Sequence, residues 1–375
     1  MKGLHTCRGF FVLILVMVLV VGTGLEGYGA TSKASGSGDN EPVASVSGKV
    51  GSYSQGLAVE YRTKDEVKQA LESVWNLDYK GKFSATPSLS GNGTLGRLSD
   101  KTQENALTFL NTIRYIAGIS DDVSLSEDYI KHAQAAAMVI AKNAEVSHYP
   151  SKPEGLSASI YKLGKVGARK SNLACGTTDL KRVMTLYMGD NGQKYLGHRR
   201  WILYPALEKT GFGMVGKYSA MYVVDNFSKK NAAKTSGVSW PAQTMPLELW
   251  NEADAWSVSF GRKLDAKDIK VVLTENSTDE SNNIFFSQGN SSKSLTANQK
   301  GSAYSGDPEN CKWVFSSKHS DGDFYVCNEN YGQPGCVIFT PDGIDCSDGT
   351  SFHVTITEKG KKIVDYDVNF FEAIG

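Results

Sequence analysis

The chain has 375 residues, enough for about two domains, and Lys plus Arg equal Asp plus Glu at 40 each, so its formal charge is zero. That balance argues against a nucleic-acid binder, which needs a basic surface to neutralise phosphates. Beyond residues 10–21 no apolar run approaches membrane-spanning length, so no stable span is expected in a mature chain.

The N-terminus reads as an export signal. Lys2 and Arg8 precede the uncharged apolar run over 10–21, and small residues including Gly22, Gly24, Gly29 and Ala30 follow. The run is short for a bilayer span, which favours a cleaved signal peptide over residues 1–30 and a secreted or cell-surface protein. Residues 31–95 read as a linker rich in Ser, Gly and Lys, with one short helix over 64–75 where Val67, Leu71 and Trp75 recur every four residues.

Organised sequence begins at Asp100, read as a helix cap with Gln103 three residues on. Leu107, Leu110, Ile113 and Ile116 follow at helical spacing, and Gly118 marks the stop. A second helix opens at Ser126 and carries Ile130, Ala133, Ala137 and Ile140 on one face; its many alanines predict close packing against another layer. A third helix is expected over 178–189. Strands are expected over 201–204, 211–215 and 220–224, the last two joined by a hairpin at Gly216 and Lys217. Helices followed by a small antiparallel sheet give an α+β domain over 96–240.

From Pro241 the pattern becomes all-β. Short alternating runs over 256–260, 269–274, 284–286, 313–315, 324–327, 336–339, 352–356 and 363–370 predict an immunoglobulin-like β-sandwich over 241–375. Cys311, Cys327, Cys336 and Cys346 cluster there. In an exported chain they read as two disulfides of unknown pairing, because their spacing does not suit a four-cysteine zinc site; Cys175 stands alone.

Two histidines lie at the ends of predicted elements. His148 sits in Ser147-His148-Tyr149-Pro150, and His198 in Gly197-His198-Arg199-Arg200-Trp201. Together with Asn111-Thr112-Ile113-Arg114 and Ser171-Asn172-Leu173-Ala174, in that order and spacing, these motifs resemble the CAP superfamily (cysteine-rich secretory proteins, antigen 5, pathogenesis-related 1), also called SCP domains. The resemblance covers about residues 96–227. It is closest to a bacterial-type branch whose second histidine motif reads His-Arg-Arg-Trp. It implies an α-β-α sandwich with an open cleft containing two histidines, which map to His148 and His198, and in many members two glutamates.

This chain departs at the glutamates. The first position is Ser171, and Leu186, Tyr187 and Met188 occupy the third-helix positions; the nearest acids are Asp190, Glu145 and Glu154. Ser171, Asn172, Asp190 and Arg199 are expected to line the cleft. Arg199 and Arg200 suit either a bidentate grip on a carboxylate or phosphate, or an ordinary surface or inter-domain role. The resemblance therefore implies an extracellular binding module for a lipid, glycan, protein or metal such as zinc, favoured over an enzyme, with enzyme activity left open. The alternatives are a metal-assisted hydrolase or peptidase built on His148 and His198, and a structural or adhesive surface protein with a vestigial cleft.

Overall fold

The computed structural model describes residues 54–229, 231–276 and 313–375. The expected export signal, residues 31–53 of the expected linker, the expected strand at 284–286 and Cys311 lie outside them; the rest of the expected linker is not a linker, since Leu57, Val67, Leu71, Val74 and Tyr79 are buried in the main core. Among the described residues no helix is long and apolar enough to cross a membrane.

Helix α1 (Lys64–Trp75) opens with a reciprocal capping box between Thr63 and Glu66, and buries Val67, Leu71 and Val74. Helix α2 (Asp100–Ile116) is capped one residue earlier than expected: Ser99 accepts from the Thr102 amide, and Asp100 is already in the first turn. Helix α3 (Glu127–Asn143) ends where Ala144 turns left-handed. Helix α4 (Ala158–Arg169) was not expected from sequence, and its interior carries two glycines, Gly164 and Gly167. Both are packing residues, since a Cβ on Gly164 would press on the Ala135 carbonyl and one on Gly167 would collide with the His132 carbonyl. Helix α5 (Leu180–Gly189) starts two residues later than expected, capped by Asp179, and closes at a left-handed Asp190. The expected strand at 201–204 is instead part of helix α6 (Gly197–Ile202) and its exit, an ambiguity that short apolar runs carry.

The strands Ser171–Cys175, Tyr218–Tyr222 and Phe212–Val215 form an antiparallel sheet in that spatial order. Alternation separates its two faces. Phe212, Met214 and Met221 join the apolar cluster of α2 and α5, whereas Leu173, Ala220 and Tyr222 pack with Ala133 and Ala136 of α3 and Ala168 of α4. The edge strand is closed by two buried glutamines rather than by another strand. Gln103 bonds both the amide and the carbonyl of Phe212 (3.1 and 2.6 Å), and Gln134 does the same at Met214 (3.0 and 2.9 Å). Each side-chain amide imitates a neighbouring peptide, so the outward backbone groups of Phe212 and Met214 are paired.

Phe83–Ala85 pairs with Arg97–Leu98 and Ser124–Leu125 with Lys209–Thr210 in two short ladders, and the other strands form two larger sheets. One runs Ser54–Gln55, Lys361–Phe371, Ser351–Glu358, Ile269–Glu275, Trp313–Ser316, with Thr244–Pro246 added parallel to Lys361–Phe371; the other runs Gly322–Cys327, Cys336–Pro341, Trp256–Ser259, Val238–Trp240. Strand pairing thus places residues 54–55 and 238–240 with the strands that follow 241. Trp256 meets Phe339, Phe352 and Phe370 at ring distances of 5.8–6.0 Å, and Phe315 meets Phe339 at 5.1 Å, so aromatic side chains from both sheets share one core. The same apolar cluster continues into α2 and α5 through Phe109 and Tyr187.

The expected disulfides are not formed among the described cysteines: Cys175, Cys327, Cys336 and Cys346 are free. Cys327 and Cys336 face each other on paired strands, but Cys327 is engaged as an acceptor for Arg200 Nη1 at 3.0 Å. Cys346 belongs to the main core cluster, apart from the small cluster that holds Cys327 and Cys336. Burial pushes the Cys336 thiol up, and pushes Cys346 up to about 12, so both are held as neutral thiols.

Candidate functional site

An open cleft of about 860 Å³ lies against the three-stranded sheet, with His148 and His198 both in its wall. The two rings are anchored in different ways. His148 follows α3, and its Nδ1 donates to the Ala168 carbonyl at the end of α4 (2.7 Å). His198 is in the first turn of α6, and its Nδ1 faces Asp190 Oδ1 at 2.7 Å while its backbone amide donates to Asp190 Oδ2 at 2.9 Å. Asn172 steadies the same residue by donating to the His198 carbonyl (3.0 Å), and the Tyr187 ring packs on the imidazole at 5.1 Å. Each Nδ1 is occupied, so Nε2 is the open nitrogen of both rings.

Their protonation differs for a stated reason. Burial lowers His148 below the ordinary histidine value; the Ala168 carbonyl opposes this and the nearby His198 adds to it. Burial acts on His198 too, but the Asp190 carboxylate outweighs it and the value is raised. The cleft therefore offers one neutral imidazole whose Nε2 accepts and one readily charged imidazole whose Nε2 donates. Asp190, with its side chain 1 % exposed, supports the site from beneath rather than lining it.

The residues do not fit a catalytic metal. Zinc in an enzyme uses three protein ligands, and the set here stops at two imidazole nitrogens. Among the described residues no three of His, Cys, Asp and Glu are grouped to hold an ion. Asp190 is spent on His198 Nδ1, Glu145 is exposed at the margin, and Glu154 is outside the cleft lining.

Arg199 does not line the cleft. It is fully buried and turns away from the cleft, where its guanidinium donates to the Met188 and Gly189 carbonyls at the end of α5 and to the Ala255 carbonyl and Ser257 Oγ of the C-terminal sheets. Arg200 is also buried and donates to the Glu329 and Gln333 carbonyls at 2.8 and 2.5 Å. These arginines fasten α6, and with it His198, to the C-terminal sheets. Arg114 does comparable work on the other side, donating to the Ile202 and Tyr204 carbonyls at 2.7 and 2.9 Å, while Asn111 holds the Val123 carbonyl. The Asn-x-x-Arg signature is thus a brace for the α6 exit; burial lowers Arg114 to about 10.

Ser171 and Asn172 do line the cleft, and the Ser171 Oγ is buried without a hydrogen-bond partner. Sequence reasoning missed Arg169, Lys170, Lys194, Tyr195 and Tyr331, which also line it. Lys194 and Tyr195 stand just ahead of the Gly197-His198 motif and were findable by proximity. Tyr331, from the C-terminal sheets, carried no signal.

Residues 107–227 match the family model described as CAP, the cysteine-rich secretory protein family. A CAP domain is therefore present over these residues, which include both His148 and His198. No curated protein and no solved structure matches the chain.

Proposed function

We propose that this protein is an exported binding module that holds an extracellular ligand in the His148/His198 cleft. The observation that carries this reading is the pair itself: two imidazoles fixed through Nδ1, one presenting an acceptor and one a donor, in an open cleft with no third metal ligand grouped with them among the described residues. Such a pair recognises hydroxyl or anionic groups, and two imidazoles fall short of the three protein ligands a metal-assisted hydrolase uses to hold its ion. The apolar run over 10–21 supports export, and the Gly197-His198-Arg199-Arg200-Trp201 motif supports the bacterial-type branch. In this reading the C-terminal sheets form an immunoglobulin-like sandwich that buttresses the cleft through Arg199 and Arg200.

Calorimetric zinc titration and metal analysis of the wild type and the His148→Ala/His198→Ala double variant test it. The expected result is no stoichiometric zinc uptake that depends on the histidines. Stoichiometric uptake lost in the double variant, together with zinc-dependent hydrolysis of peptide substrates, overturns the reading in favour of the hydrolase.

A further inference from the structure

We propose that the ligand of this cleft is an acidic glycan, a sugar chain bearing carboxylate or sulfate groups, and that Tyr331 of the C-terminal sheets forms one wall of its site. The proposal rests on the binding-module reading and names the ligand class.

Charge is the first argument. Arg169, Lys170 and Lys194 line the cleft, all three are exposed, and Glu145 is the sole acid beside them in the lining. The chain as a whole has zero formal charge, so this concentration of cations is local. Each cation rests near a tyrosine ring instead of a carboxylate: Arg169 at 5.4 Å from Tyr149, Lys170 at 6.0 Å from Tyr222, and Lys194 at 4.3 Å from Tyr325. A ring face orients a cation without neutralising it. The three charges therefore remain available to an anion, to which guanidinium and ammonium donate strong, charge-assisted hydrogen bonds.

The cleft lining is the second. A sugar presents an apolar C–H face and a rim of hydroxyls, and the site offers both complements. Tyr195 and Tyr331 lie nearly parallel, with an interplanar angle of 16° and centroids 6.0 Å apart. Tyr331 is held from behind by the Arg200 guanidinium at 5.2 Å, and it sits so close to Gly197 that a Cβ there would lie 3.0 Å from its ring. It is a preorganised aromatic wall. Facing the hydroxyl rim are the two Nε2 atoms and the Asn172 side chain. An acyl chain laid over the same floor would strip these polar groups of hydrogen bonds, which disfavours a lipid tail.

The test uses the full-length protein in calorimetric titrations. The probes are oligogalacturonate and a heparin oligosaccharide, each beside its neutral counterpart (methyl-esterified galacturonate, and desulfated, N-acetylated heparin), and phosphatidylglycerol vesicles. At least one acidic glycan is expected to bind, with affinity falling as salt rises and about tenfold weaker binding of its neutral counterpart. Arg169→Ala and Lys194→Ala each weaken it by about threefold or more, Tyr331→Ala by about tenfold, and Tyr331→Phe little. Lys101→Ala, on the exposed face of α2, leaves it unchanged. Circular dichroism and urea unfolding of each variant separate lost binding from lost fold. Equal binding of acidic and neutral probes, indifference to Tyr331→Ala in a folded variant, or no binding of either acidic glycan overturns the proposal. Neutral glycans or vesicles that bind in a His148/His198-dependent way overturn it while leaving the binding-module reading intact; histidine-dependent zinc uptake with hydrolysis removes that reading itself.

Discussion

His353 lies between two aspartates on the sheet strands Ser351–Glu358 and Lys361–Phe371. Its Nδ1 is 2.7 Å from Asp367 Oδ1 and its Nε2 is 3.0 Å from Asp365 Oδ1, with the imidazole side chain 12 % exposed. Burial works against its charge, but the two carboxylates prevail and lift it to about 9 from 6.5, while Asp365, held also by Thr355 and Lys362, is lowered to about 2. The folded value lies above the unfolded one, so the stabilisation is fully present below about pH 6.5 and is lost as pH rises through about 9. At about 1.4 kcal/mol per pH unit the interval is worth about 3 kcal/mol, and water reaching the partly exposed Asp367 trims this to about 2 kcal/mol. His353→Gln keeps a polar side chain and removes the titration. Urea unfolding at about pH 6 is expected to show the wild type more stable than the variant by about 2 kcal/mol, with most of that gap gone at about pH 9.5. A gap of the same size at both pH values would refute the reasoning, because packing or neutral hydrogen bonding would then account for it.

Three further outcomes follow from the same geometry. Arg200→Met is expected to cost about 3–4 kcal/mol in urea unfolding, since it removes a buried guanidinium from the Glu329 and Gln333 carbonyls and from Cys327; Arg200→Lys restores little of this because an ammonium lacks the planar fork. Gly213→Ala drives a methyl group into the backbone of Ala133 and Gln134, and is expected to destabilise by about 3 kcal/mol or more, read as a drop in Tm. In Asp190→Asn, burial acts on His198 with no carboxylate to oppose it. Its imidazole, followed by NMR titration, is expected to move from above the ordinary histidine value to below it; a value that stays raised contradicts the role given to Asp190.

The helices that bury one stripe were legible because their apolar residues repeat at the helical period: α1 has the expected bounds, and α3 opens after Ser126. The alanine-rich face of α3 carried a true packing signal, as it touches both α4 and the sheet. Helix α4 was hidden because Gly164 and Gly167 serve a neighbouring helix rather than their own. Helix α6 was misread because Trp201-Ile202-Leu203 is too short to display a period. At the N-terminus of α2, Gln103 resembled half of a capping box, yet its amide is used on the Phe212 backbone.

By itself, then, the sequence determined the two compositional halves, the ordered set of motifs that resemble a CAP domain, and the two candidate histidines, all of which depend on residues close together along the chain. Tertiary structure alone decided what those residues do. It joined Asp190 to His198 rather than to an ion, turned Arg199 out of the cleft and into the C-terminal sheets, left Cys327, Cys336 and Cys346 as thiols, and brought Tyr331 to the site across more than a hundred residues of chain. These outcomes depend on which group is nearest once the layers close, and on burial that strips competing water from it. Neither quantity is carried by spacing along the chain.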